Sequence, residues 1–171
     1  MLIKQSSKAL IMAGLLGLGS MGVASQAVAD EPMSVDVSRI TMDVANTIAL
    51  NAIKACRDMG IPISVTVVDR NGIVQAQLRD TVAPPVSLDI SKNKAYTAVM
   101  FNVKGSQLES RANSPLQSMG VGLAFMAGSA PIQAGGKLYG GVGVSGAPEG
   151  MDDEACAIAG IESVQDDLEM Q

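Results

Sequence analysis

Asn71-Gly72 constrains this chain more than any other pair of residues. Asn-Gly between two alternating apolar runs is the strongest local signal for a hairpin. Apolar residues alternate on either side: Ile63, Val65 and Val67 before the turn, Val74, Ala76 and Leu78 after it. Segments 61–69 and 73–79 are therefore expected to be antiparallel strands. Gly135-Gly136 repeats the signal between segments 131–134 and 137–144. Hairpin-linked strands cannot be parallel neighbours, so the sheet is expected to be antiparallel.

Helices flank these hairpins. Ala45, Ile48, Ala49, Ala52, Cys56 and Met59 share one helical face, which predicts a helix over 42–59 with Cys56 on its buried side. Thr41 can cap its start, and Gly60 and Pro62 end it. A second helix is expected from Ser87 or Asp89 to 102, and a short one over 106–111. The Gly- and Met-rich stretch 115–129 has little periodicity, yet few polar groups for a loop, so it should pack against something. A last helix is expected over 154–166, capped by Asp152 or Asp153, with a frayed acidic tail. The order α-ββ-αα-ββ-α places the first and last helices on one face of the sheet and the central helices on the other.

The N-terminus reads as an address. Lys4 and Lys8 precede an apolar run over 9–23, and Ala27-Val28-Ala29 forms an A-x-A cleavage site before Asp30. That run is shorter than the roughly 20 residues a spanning helix needs. Residues 1–29 are expected to be a cleaved signal peptide and 30–171 a single exported domain, placed in a periplasm with no membrane span after cleavage. Export gives Cys56 and Cys156 an oxidising compartment, and an even count suggests a bridge. Two buried thiols are the alternative.

Composition excludes several chemistries. There is no histidine, so Ser-His-Asp and Cys-His catalysis and histidine-bearing zinc sites are absent. Net charge is −5 and aromatics make up 2% of residues, which argues against a nucleic-acid partner. Gly141-Val142-Gly143-Val144-Ser145-Gly146 matches G-x-G-x-x-G literally, but too little chain follows to complete a βαβ unit. Ser145 is not a nucleophile elbow, because Ala147 stands where the second glycine belongs. Asp152-Asp153-Glu154 suits a helix cap better than a cation site, and Asp166 with Glu169 suits a solvated tail. No metal site is expected. Met100, Met119 and Met126 are potential iron ligands but are equally core fillers. Lys94, beside Tyr96, Thr97 and Phe101, either receives a ligand carboxylate or stands in water.

Three segments carry a family resemblance. They are Lys92-x-Lys94-Ala95-Tyr96-Thr97-Ala98, then Ala130-Pro131-Ile132-Gln133-x-Gly135-Gly136-Lys137-Leu138-Tyr139-Gly140-Gly141-Val142-Gly143-Val144-Ser145-Gly146, then Asp152-Asp153-Glu154-Ala155-Cys156-Ala157-x-Ala159-Gly160. Together they resemble the GlcG/HbpS family and the C-terminal domain of PduO-type proteins, over about residues 40–164. The resemblance implies an α+β fold: a profilin-like α/β/α sandwich around a five-stranded antiparallel sheet with helices on both faces. The fifth strand would have to come from 115–129. It also implies a homo-oligomer and haem as a cofactor, without a common catalytic activity. Haem binding in relatives is discussed with histidine, which this chain lacks. The iron would then meet Met, Tyr, Lys, Cys or water, or the binding would be mainly apolar.

The pocket wall carried over from the resemblance is Lys94, Thr97, Ala98 and Phe101 on the second helix, Met119 in the Gly- and Met-rich stretch, and Gly141, Gly143 and Ser145 on the last strand. The expected function is binding of a small molecule, haem or a related tetrapyrrole, without histidine ligation and without enzymatic activity. The alternatives are a sensor or carrier of a small organic acid held by Lys94, and an oligomeric accessory protein.

Overall fold

The two hairpins form around Asn71-Gly72 and Gly135-Gly136. In a computed structural model, which describes residues 32–171, β1 (Ser64–Asp69) pairs with β2 (Val74–Arg79), and β3 (Ser129–Ala134) pairs with β4 (Lys137–Ser145), both antiparallel. The hairpins join through an antiparallel β1–β4 pairing that sets Val65 opposite Val144 and Val67 opposite Val142. Sheet order is β2-β1-β4-β3. The expected signal peptide lies outside the described residues.

α1 (Met42–Asp58) forms as its periodicity requires. Thr41 caps it by accepting from the Val44 N–H at 3.4 Å, and Ala45, Ile48, Ala49, Ala52 and Cys56 are buried. Met59 lies past the helix end and is 48% exposed. α1 and α4 (Gly150–Glu162) cover the sheet face that carries Val65, Val67, Val142 and Val144. Cys56 and Cys156 link these helices as a disulfide, with Cα atoms 5.6 Å apart.

α2 (Ser87–Phe101) covers the other face. Two contacts seat it. Ser64 and Thr66 of β1 hydrogen-bond to Ser87 and Ser91 at 2.7 and 2.8 Å, which satisfies four buried hydroxyls. Opposite them, β4 presents Gly141 and Gly143. A Cβ on Gly143 would run into the Ser91 carbonyl and the Ala95 amide, so the missing side chains let the helix backbone rest on the strand.

Three expectations need correction. No fifth strand forms among the described residues. Pro115 starts a short α3 (Pro115–Met119), and the chain then turns at Gly122 (φ 79°) before β3 begins at Ser129. Proline at a first helical turn is preorganised for helix, and this stretch has no apolar alternation to hold it extended. The last helix also starts four residues early, at Gly150, and breaks near Ser163. A separate α5 (Gln165–Glu169) follows, and burial of Leu168 keeps this tail packed instead of frayed. The expected helix over 106–111 is a 3-10 segment, Gly105–Arg111.

Two predictions arise from these ties. The disulfide spans 100 residues of sequence, so the Cys56→Ala, Cys156→Ala double variant should lose about 2–5 kcal/mol in urea unfolding; an unchanged midpoint would show that the bridge contributes nothing. Arg57 of α1 donates Nε to Asp80 at 2.7 Å and Nη2 at 3.0 Å, and these bonds hold the Asp80 carboxyl below its ordinary value. Because the folded value is depressed, the pair's contribution is complete above the ordinary carboxylate range and is lost as pH falls through the lowered value. Asp80→Asn should remove that part of the acid-side decline in stability, measured by thermal unfolding across pH.

Candidate functional site

Seating α2 on the two glycines decides which of its side chains face inward. Ser91, Lys94, Ala95 and Ala98 are buried, while Lys92 and Met100 are exposed and Asn93 and Tyr96 are half-buried. Lys94 crosses the end of β4. Its ammonium donates to Asp153 Oδ2 at 2.9 Å and to the Val144 carbonyl at 3.0 Å. The partner Asp153, on α4, is itself buried, and its second oxygen accepts from the Ala147 N–H at 3.0 Å.

The adjoining Glu154 is equally buried. One of its oxygens accepts from the Ser106 hydroxyl at 2.6 Å, and the other from the amides of Ser106 and Gly128. Glu109 takes the Ala127 N–H at 3.1 Å. Carboxylates thus hold the 3-10 segment and the strand approaching β3 against α4. Asp153 and Glu154 are not cap residues; the helix begins before them, and burial demands partners for their charges. Lys94, one strand away, was the sequence signal that such an acid should exist.

The expected pocket residues do not gather around one cavity. Lys94 is committed to Asp153. Thr97 Oγ1 accepts from the Ala124 N–H at 2.7 Å and donates to the Asn93 carbonyl. Ala98 is packed, and Gly141 and Gly143 lie under α2. Ser145 is buried at the end of β4, opposite Ser64. Phe101 meets Phe125 edge-on at 5.3 Å with the Arg111 guanidinium 5.5 Å above its ring. Met119 is 77% exposed. Among the described residues, no group of three or more acids or cysteines could hold a metal ion, and no helix is long and apolar enough to cross a membrane.

Three larger clefts among the described residues lie elsewhere, and none of the three is lined by those eight residues. One of about 470 Å³ opens along the outward stripe of α2, between Lys92, Asn93 and Tyr96 on the helix, Gly72 in the first hairpin turn, and Val121-Gly122. A second, of about 500 Å³, runs along the free edge of β3. Its floor is Val103, Ala130, Pro131, Ile158 and Ile161, and its rim carries Lys104 and Glu162. A polar cleft continues from it through Asn102 and Gln133 to Arg70 and Lys137. Of these three, the first places a phenol beside a cation; a fourth cavity pairs Tyr139 with Arg39 but holds about 80 Å³. The α2 residues expected to line the pocket face mainly inward, whereas Lys92, Tyr96 and Met100 stand four residues apart and share the outward face.

This is a small α+β sandwich, one antiparallel sheet between helical layers, whose accessible chemistry sits in surface clefts. The chain belongs to the HbpS-like family: residues 40–162 match the family described as haem degrading protein HbpS-like. It is 36% identical to the protein in a crystal structure of HbpS, with a TM-score of 0.73 over 80% of this chain and 99% of that one. A PduOC:heme complex shares the fold at 21% identity, with a TM-score of 0.67 over 73% of this chain and 94% of that one. An uncharacterised 15.0 kDa protein from the dhaT-dhaS intergenic region of Citrobacter freundii is 29% identical over 119 residues, 66% of this chain and 84% of that protein.

The buried pair yields a stability test. Lys94→Met should cost about 3–5 kcal/mol in urea unfolding, because it strands the Asp153 charge. Adding Asp153→Asn should recover part of that loss; a double variant no better than Lys94→Met alone would mean the ion pair is not what holds α2 to α4.

Proposed function

We propose that this protein binds haem or a related tetrapyrrole, without histidine, in the cleft beside Tyr96. The observation that carries the reading is the composition of that cleft. Lys92 is a cation for a propionate, Tyr96 offers an aromatic body and an oxygen donor, and Val121 offers apolar surface. Met100 adds a thioether next to the same turn, its methyl group within 3.3 Å of where a Gly72 Cβ would stand. These donors fit an iron porphyrin, since both phenolate and thioether serve as axial haem ligands. Bound haem would supply the iron and the light absorption; the protein supplies the cradle. The β3-edge cleft has an apolar floor but no such donor.

Family membership supports haem-related binding, and the PduOC:heme complex supports it at the level of a shared fold. The cleft volume lies within the usual range for small-molecule sites. We read the protein as a binding protein and not an enzyme. Export to a periplasm rests on the Lys4/Lys8, apolar-run and Ala27-Val28-Ala29 pattern. A homo-oligomer accords with the exposure of Val121 and Met119, which leaves apolar surface beside the cleft for a second copy to cover.

Titration with haemin should give a saturable Soret shift that an unrelated acidic protein does not show. Lys92→Glu should weaken it about fivefold, the scale of one exposed charge pair. Absence of a saturable shift would refute haem binding; a normal shift with Lys92→Glu unaffected would move the site away from this cleft.

A further inference from the structure

The donors available to a metal can be narrowed residue by residue. The chain has no histidine and two tyrosines. Both cysteines are in the disulfide. Lys94 is buried in its ion pair. Tyr139 is 5% exposed in the core beneath α1 and borders a cavity of about 80 Å³, too small for a tetrapyrrole. Tyr96 remains as the phenol on a cleft of about 470 Å³, with the Met100 thioether one turn further along α2.

The Tyr96 ring is also held in place. Gly72, at φ 80°, brings the hairpin turn against one edge: a Cβ there would stand 2.5 Å from Cδ2 and 2.7 Å from Cε2. Gly122, at φ 79°, brings the other segment toward Cδ1, 3.9 Å from its own Cβ position. Two turns thus border the ring on opposite edges through residues that have no side chain. A donor fixed before its ligand arrives loses little freedom on binding.

We infer that Tyr96 gives its phenolate oxygen to the ferric iron of the tetrapyrrole, so that the site selects the oxidised, metal-bearing macrocycle. The inference rests on the tetrapyrrole reading above. Oxygen donors suit the harder ferric ion, whereas the Met100 thioether suits softer, reduced metal. On ligation the phenol O–H bond breaks, its proton passes to solvent, the iron–oxygen bond forms and an iron-bound water leaves. No electron is transferred. Each ferric haem bound therefore releases one proton, and affinity rises with pH.

The charged groups around the ring are few. Lys92 lies on its own helix. Asp69, at the base of the hairpin turn, is occupied by the Asn71 and Ile73 amides, and Arg70 lines the polar cleft instead. Segment 120–122 brings no titratable side chain.

The test is a set of titrations of the full chain with haemin and with metal-free protoporphyrin, at about pH 6 and about pH 8, for the parent, Tyr96→Phe and Met100→Leu. Circular dichroism confirms folding of each. Parent affinity for haemin should rise about tenfold per pH unit, while affinity for the metal-free ring stays level once its propionates are ionised. Tyr96→Phe should bind haemin at least about tenfold more weakly, without the pH slope and without the phenolate-to-iron resonance Raman bands, yet bind metal-free protoporphyrin like the parent. Met100→Leu should leave the ferric spectrum unchanged. Equal haemin binding and spectra in the parent and Tyr96→Phe would overturn the ligand assignment and leave the cleft reading standing. A ferric spectrum lost in Met100→Leu and kept in Tyr96→Phe would do the same. Failure of both porphyrins to saturate the parent would overturn the cleft reading, and this inference with it.

Discussion

The contact between α2 and the two glycines of β4 organises the molecule. A helix normally stands off a sheet by the depth of its side chains, but here its backbone reaches the strand at Gly143. That approach fixes the rotation of α2 about its own axis. Ser87 and Ser91 then meet the hydroxyls of β1, Lys94 reaches over the end of β4 to Asp153, and the stripe of Lys92, Tyr96 and Met100 turns outward. The cleft is a consequence of this seating, because the same rotation delivers Tyr96 between two glycine turns.

The buried charges serve the same geometry from the other side. Lys94 and Asp153 tie α2 to α4, and Glu154 gathers the amides of Ser106 and Gly128. Such pairs return little net stability, since removing two charges from water offsets much of their attraction. Their effect is to permit one arrangement: any other register of α2 would leave an uncompensated charge indoors. The disulfide joins α1 to α4 on the far face, so α4 is anchored to both helical layers.

Much of this fold was legible in the sequence because its signals were local. Asn71-Gly72 and Gly135-Gly136 marked both hairpins, and the Ala45-to-Cys56 spacing marked α1 and its buried face. The helix layers and the bridge followed from element order and an even cysteine count. Which face of α2 turns outward was less legible for a physical reason. α2 has small or hydroxylated residues on its buried face and Tyr96 and Met100 on its outer one, so apolar periodicity points no clear way. Lys94 reads as either a ligand contact or a solvated residue, because the acid it is buried against lies 59 residues on in sequence. The acids at 153 and 154 resembled a cap because their pairing is tertiary. The resemblance to a family with a fifth strand overrode Pro115, whose local preference was for helix.

The most direct measurement is a crystal structure of the protein grown with haemin. The account predicts the macrocycle in the cleft of Lys92, Tyr96 and Val121, with the Tyr96 oxygen toward the metal and Lys94 still joined to Asp153. Haem seated at the β3 edge, over Ile158 and Ile161, would contradict it.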